Sequence, residues 1–343
     1  YTDIDKPSDY FNTVLYTGNA SASRAITGVG FQPDWVWVKG RSTAYYHALW
    51  DVVRTNKSAL YSNTSDAEDT GTGGTLGSFN SDGFTLPNES GGFVNNNGTT
   101  YASWNWKAGT SVSGNTTGSG TAKTYTGSVN TDAGFSIIKY TGNGTSGHTI
   151  PHNLTQKPAM IIVKNLTGDN WTVYHHKIAS DPATDYIFFN STAAASDHVG
   201  YWNDTEPTSS VFTVGNDGGT NANNVSLIAY CFAEKQGYSK FGSYTGNGSA
   251  NGPFNYLGFK PAWLVIKRTD STGNWHMFDN KRNPHNVVGQ NLYANITQVE
   301  GTDNTCDFLS NGFKLTASSN SRNGSGNSYI YMAFAENPFV TST

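Results

Sequence analysis

Pro33-Asp34-Trp35-Val36-Trp37-Val38-Lys39 decides the reading of this chain, because it occurs three times. The second copy is Pro158-Ala159-Met160-Ile161-Ile162-Val163-Lys164 and the third is Pro261-Ala262-Trp263-Leu264-Val265-Ile266-Lys267. Each is a Pro-led run of β-forming residues closed by a lysine. A strand with one wet face alternates apolar and polar residues; a strand apolar at successive positions is covered on both faces. These runs therefore predict strands at the centre of a sandwich or at a subunit contact.

Further landmarks keep the same order around each run. Upstream stand Tyr16-Thr17-Gly18-Asn19, Tyr140-Thr141-Gly142-Asn143 and Tyr244-Thr245-Gly246-Asn247. Downstream come Tyr46-His47-Ala48-Leu49-Trp50, Trp171-Thr172-Val173-Tyr174 and Trp275-His276-Met277-Phe278. Asp82-Gly83-Phe84-Thr85-Leu86 then matches Asn311-Gly312-Phe313-Lys314-Leu315, with Ser210-Val211-Phe212-Thr213-Val214 as a degenerate middle copy. Each unit ends on a strand-like run, at 101–106, 227–232 and 329–334. Such self-similarity marks a repeat architecture. The layout expected is a first repeat over 1–109, a Gly/Ser/Thr-rich flexible linker over 110–133, a second repeat over 134–236 and a third over 237–343. Short Val/Ile/Trp/Tyr/Phe runs between Gly/Asn/Ser/Asp clusters predict an all-β fold of three tandem β-sandwich units, jelly-roll or concanavalin-like. One exception is a turn or two of helix expected around 48–60.

Composition narrows the function. The 343 residues hold 21 Lys+Arg and 25 Asp+Glu, so 13% are charged, about half the usual ~25%. The net charge is −4. With no basic cluster to neutralise phosphates, nucleic acid is excluded as a partner. Apolar runs such as 160–163 and 263–266 are far short of the ~20 residues of a membrane-spanning helix, so no membrane insertion is expected. Two cysteines, Cys231 and Cys306, allow at most one disulfide. Starting at Tyr1 without a charged-then-apolar leader, the sequence is expected to derive from a longer product.

The stretch Gly-Phe-x-Pro-Asp-Trp-Val-Trp-Val-Lys at 30–39, the aromatic-Asp-x-x-Arg stretch at 50–54, Ser-Phe-x-Ser-Asp-Gly-Phe-Thr-Leu at 78–86 and Asn-Gly-x-x-Tyr-x-x-Trp-x-Trp-Lys-Ala-Gly at 97–109 carry a resemblance. Together they resemble an uncharacterised β-rich tandem repeat of structural and tail-fibre-like proteins of marine bacteriophages, cyanophages among them. The resemblance covers nearly the whole chain and is weakest in the second unit, which lacks the Asp-Gly before Phe212. It implies a virion surface or appendage protein and supplies no catalytic residues.

The chemical motifs are few. Gly142-x-Gly144-x-x-Gly147 matches a dinucleotide fingerprint in form, but the following His148-Thr149-Ile150-Pro151 does not open the helix that would receive a pyrophosphate. A hairpin loop is the expectation. His148, His152, His175 and His176 lack cysteine partners and repeat equivalents for a zinc site. Asp66-x-Glu68-Asp69 and Asp303 with Asp307 offer oxygen ligands without a calcium loop. Glu234 and Glu336 are equivalent positions, and Ala108 stands there in the first unit, which argues against a catalytic pair. Among candidate binding residues, Trp171 and Trp275 could stack on sugars, and Lys164 and Lys267, with Lys39, could bind an acidic group. Core packing for the tryptophans and a strand-end role for the lysines are the competing readings.

These observations predict a non-enzymatic virion structural protein without a cofactor, a tail fibre or appendage at the virion surface. Its expected partners are other virion proteins, a host-surface glycan, and itself in a homo-oligomer such as a trimer. The alternatives are a carbohydrate-binding adhesin, which predicts exposed aromatics gathered in one place, and a glycan depolymerase, which requires two converging carboxylates.

Overall fold

The computed structural model describes residues 2–54, 58–71, 76–86 and 93–339. It is all-β, 45% strand and 3% helix. The helical pieces are a 3-10 turn at Pro7–Asp9 and two single turns in the second unit, Val199–Trp202 and Gly218–Asn221. The helical turn expected around 48–60 is replaced at its start by a strand, Ala48–Asp51; residues 55–57 lie outside the described residues.

Every unit is built on the same four antiparallel strands. An opening strand (Phe11–Thr17, Phe135–Thr141, Ser239–Thr245) pairs with the closing strand (Thr100–Trp106, Ser226–Phe232, Ser328–Pro338). The closing strand pairs with the lysine strand (Trp35–Gly40, Met160–Asn165, Phe259–Arg268). The lysine strand in turn pairs with an aromatic strand (Ala48–Asp51, Trp171–His175, Trp275–Asp279). Beyond this frame the units differ. The first keeps four strands and adds a three-stranded sheet, the second extends the frame to eight strands and adds a three-stranded sheet, and the third runs on into a single eight-stranded sheet; one eight-stranded sheet is nearly closed.

The lysine strands show why successive positions are apolar. Their side chains alternate between two cores, as strand geometry requires. Trp35, Trp37, Met160, Ile162, Trp263 and Val265 enter one central cluster shared by all three units. Val36 and Val38, Ile161 and Val163, and Leu264 and Ile266 enter three separate outer clusters, one per unit. The units therefore close around a common aromatic axis instead of standing in a row. Trp35 stacks on Tyr230 at 4.5 Å between units one and two, and Trp106 meets Trp263 at 5.3 Å between one and three. Phe232 meets Phe334 at 6.0 Å between two and three. Such ring pairs contribute about 0.5–1.5 kcal/mol each beyond area burial.

The stretch expected as a flexible linker, 110–133, is instead part of the second unit. Thr110–Asn115 pairs residue by residue with Thr124–Asn130, which pairs with the opening strand. Thr117–Gly118 joins the outer sheet, and Tyr125 and Val129 are buried in the outer core. Its Ser/Thr-rich outer face disguises an edge of the sheet as linker composition. Cys231 and Cys306 are free, each buried in a different outer core.

Candidate functional site

Where the units meet, three sets of contacts repeat around the axis. Glu68 N donates to Leu166 O, Ala195 N to Thr269 O and Glu300 N to Arg41 O, at 3.0, 2.8 and 2.8 Å. These bonds run from unit one to two, two to three and three to one. Each unit thus offers the same donor edge and the same acceptor edge, and the head-to-tail ring closes at three.

The candidate binding residues are the middle of these seams. Trp171 and Trp275 are buried, and their indole N–H groups donate to Tyr61 O and Phe188 O of the preceding unit, both at 3.0 Å. His47 occupies the matching position in unit one and faces the carbonyls of Tyr293 and Ile296 in unit three. Lys164 donates to Ser65 O of unit one at 3.0 Å and to Asp169 O. Lys267 donates to Arg268 O at 2.7 Å and reaches Thr192 O of unit two at 3.3 Å. Lys39 donates to Gly40 O and feels Glu300 of unit three. None of the three lysines has exposed surface, and burial pulls each ammonium down to about 8. The tryptophans are therefore closed to a sugar and the lysines to an acidic ligand, because both are spent on holding neighbouring units.

Two repeated asparagines escaped the sequence reading. Asn63, Asn190 and Asn295 each accept the backbone N–H of the seam residue, His47, Trp171 or Trp275, at 2.9 Å. Asn95, Asn221 and Asn323 are buried and accept from the backbone of Asn19, Asn143 and Asn247, so they organise the Tyr-Thr-Gly-Asn loops. The loop glycine is demanded by approach: a Cβ on Gly18, Gly142 or Gly246 would lie 2.1–2.3 Å from a carbonyl oxygen. Both asparagine sets recur at matching places, a signal that aligning the repeats between their landmarks would have shown.

The other motifs resolve into structural contacts. The Gly142-x-Gly144-x-x-Gly147 loop leads into a strand, His148–Pro151, with no helix behind it. His148 bonds to Asn143 of that loop and to Ser119 O of the 110–133 stretch, and His152 bonds to Thr208 O. His175 meets Tyr331 O at 3.1 Å and His176 meets Phe241 O at 2.6 Å, both across the seam to unit three. Asp69 accepts from Tyr61 and Gly71, and Asp303 pairs with Arg322. Among the described residues no three His, Cys, Asp or Glu gather as a metal ion would need. Glu234 is answered by Lys240 at 3.6 Å and Glu336 by Lys260 at 2.7 Å. No described helix is long and apolar enough to cross a membrane.

A surface feature stands out against this thrift with aromatic rings. All nine Trp are buried. Among the described residues the exposed large aromatics are Tyr46, Phe254, Tyr256 and Phe339, and the last three belong to one face of the third unit. Phe254–Tyr256 is an edge strand on which Phe254 and Tyr256 point outward, 45% and 60% exposed. Tyr256 and Phe339 line a cleft of ≈ 490 Å³ together with Asp3, Glu234, Lys235, Gln236, Ser239 and Lys240. Phe339 N donates to Gly258 O, and Gln236 N donates to Asp3, so both walls are tied to the frame. Rings beside amides, a hydroxyl and balanced charges form a surface suited to binding a partly polar ligand.

The comparison with protein families matches residues 6–338 to a single domain of unknown function, DUF7483. The chain belongs to that family. Since one family model spans all three units, the DUF7483 domain is the closed ring and not the single repeat. No curated protein and no solved structure matches the chain.

Proposed function

We propose that this DUF7483 ring is a non-enzymatic architectural protein of a phage virion, a tail fibre or another appendage at the particle surface. Each unit serves in it as a two-layer β-sandwich. The observation that carries this reading is the closed ring itself. Seven tryptophans in the central cluster, the buried Lys164 and Lys267 and a repeated set of cross-unit bonds hold the three units around one axis. The trimeric frame expected between chains is supplied here within one chain, so we take it to enter a particle as a single-chain trimer beside other virion proteins. The resemblance of the repeats to phage appendage proteins supplies the location. Glu234 and Glu336, the repeated acids, are each engaged by a lysine, which supports a role without catalysis.

A carbohydrate-binding surface protein is the second reading, favoured by the exposed Phe254, Tyr256 and Phe339. Gold-labelled antibody against the purified chain, imaged on intact particles, tests the first. Labelling at a fixed position on a fibre or capsid is the expected result. A monodisperse protein that labels no particle and co-purifies with none would overturn it.

A further inference from the structure

The three units act as internal controls for one another. The edge strand Phe254–Tyr256 pairs with Gly312–Leu315, as Ala25–Thr27 pairs with Gly83–Thr85 and His148–Pro151 with Val211–Val214. The centres of these strands face Phe313, Phe84 and Phe212, which fixes the equivalence. The outward positions are then Ala25 and Thr27 in unit one, Thr149 and Pro151 in unit two, and Phe254 and Tyr256 in unit three. Unit one builds this open edge from small residues, so the fold does not require rings there; in unit two the equivalent strand carries small residues too, but lies inside its sheet with Thr117–Gly118 paired on its other side. Large exposed aromatics cost solvation and invite association, and they stand out where packing does not explain them.

We propose that the face formed by Phe254, Tyr256 and Phe339, with the cleft beside it, binds a neutral carbohydrate chain. This deepens the second reading above by naming a place and a ligand class. Alternate positions on a strand lie about 6.6 Å apart, so Phe254 and Tyr256 present two ring faces along one line on which successive sugar rings can lie. The tyrosine hydroxyl leaves one end of that line polar. The cleft adds the carboxylates of Asp3 and Glu234 to accept sugar hydroxyls, and Lys235, Lys240, Gln236 and Ser239 to donate to sugar oxygens. Two acids against two lysines leave no net charge, which favours a neutral over an acidic chain. Most of the side chains that line the cleft beside the rings are polar, which favours a sugar over a protein partner.

The test uses the full chain and a printed array of neutral and acidic oligosaccharides. Hits are followed by titration with the same compounds in solution, and maltohexaose and polygalacturonate serve as reference probes. Binding to neutral members is expected, weakened about tenfold by Tyr256→Ala or Phe254→Ala, a loss in line with one stacking contact. Tyr46→Ala, which removes an exposed ring elsewhere, should leave binding unchanged, and circular dichroism should show all variants folded. The proposal is overturned if no neutral member binds, if only acidic members bind, or if Tyr256→Ala and Tyr46→Ala behave alike. It is also overturned if Tyr256→Ala acts only by abolishing self-association in light scattering, which would assign the face to a second copy of the chain. Particle labelling is independent of this outcome, so either result can fail alone.

Discussion

The seam residue at the end of the aromatic strand is charged in two units and neutral in the third, and its neighbours explain the choice. Asp51 in unit one accepts from the Tyr230 hydroxyl of unit two at 2.7 Å, and Asp279 in unit three accepts from the Trp104 indole of unit one at 3.1 Å. Both carboxylates are fully buried and each is held by an arginine three residues on, Arg54 or Arg282. Those arginines reach Glu68 and Glu300 in turn. In unit two the place of the aspartate is taken by His175 and that of the arginine by Ile178. The residue of unit three that stands where Tyr230 and Trp104 stand is Met332, which has no proton to donate. A carboxylate facing it would be buried without a donor, whereas a histidine can turn and meet the Tyr331 carbonyl. One geometric task is thus met by an acceptor where the neighbour donates and by a neutral ring where it does not.

The largest effect should come from breaking the charged version. Asp279→Ala leaves the Arg282 guanidinium buried beside an empty place and takes the acceptor from Trp104. A buried ion pair stripped of one partner costs about 3–5 kcal/mol. Glu300 remains at 3.0 Å as a second carboxylate, so the low end of that range is expected, read as a fall in the urea midpoint followed by tryptophan fluorescence. A loss below about 1 kcal/mol would show that the pair is not what holds the third unit's seam.

The neutral version should cost less and should show itself in pH. His175→Ala removes the bond to Tyr331 O and the acceptor for Lys177 N, and the buried carbonyl left without a partner costs about 1–3 kcal/mol. Burial, with His176 next, pulls the His175 imidazole down to about 3, against an ordinary value near 6.5. Between those values the unfolded chain holds a proton that the folded chain does not, so stability rises with pH. The contribution is complete above about pH 6.5 and is lost by about 1.4 kcal/mol per unit as the pH falls toward 3. His276, also drawn to about 3, and His152, drawn to about 4, act in the same sense. His175→Gln, which keeps a donor for Tyr331, should reduce that acid slope by one proton's share while sparing most of the stability at pH 8. An unchanged slope would mean His175 is protonated in the folded ring.

Much of this frame was legible in the sequence, and the missing parts have physical causes. Runs such as Trp35-Val36-Trp37-Val38 state that both faces are covered, but a covered face does not name its cover. A sandwich partner, a subunit and a neighbouring repeat leave the same pattern. Lys39, Lys164 and Lys267 recur because the seam recurs, so a position shared by all units marked the architecture and not a ligand. Phe254 and Tyr256 carried the opposite signal. They break the repeat where Ala25, Thr27, Thr149 and Pro151 keep it small, and only the pairing of these strands with the strands carrying Phe84, Phe212 and Phe313 shows which residues to compare. The stretch 110–133 was hidden by its composition: an edge strand with a wet Ser/Thr face looks like a linker until its partner, Thr124–Asn130, is seen beside it.

The smallest effect tests the ring as a whole. If the three seams are equivalent, the order of the units along the chain matters little, since each meets its neighbours through the same donor and acceptor edges. The chain ends lie together: Asp3 N donates to Gln236 O, and a Cβ on Gly237 would lie 2.8 Å from the Thr2 side chain and 3.1 Å from that of Pro338. A chain opened between Gln236 and Gly237, with Phe339 joined to Thr2 by a short Gly/Ser bridge, cuts one connection at this corner and replaces another. The entropy of closing a short loop changes slowly with its length, so the denaturation midpoint should move by about 1 kcal/mol or less. Opening the chain instead within the lysine strand 160–165 would split a frame strand that feeds both the central and the outer core, and should prevent folding. If the 236/237 permutant failed as badly, the seams would be unequal, and the covalent joint between units two and three would be holding what the hydrogen bonds around the axis assign to all three.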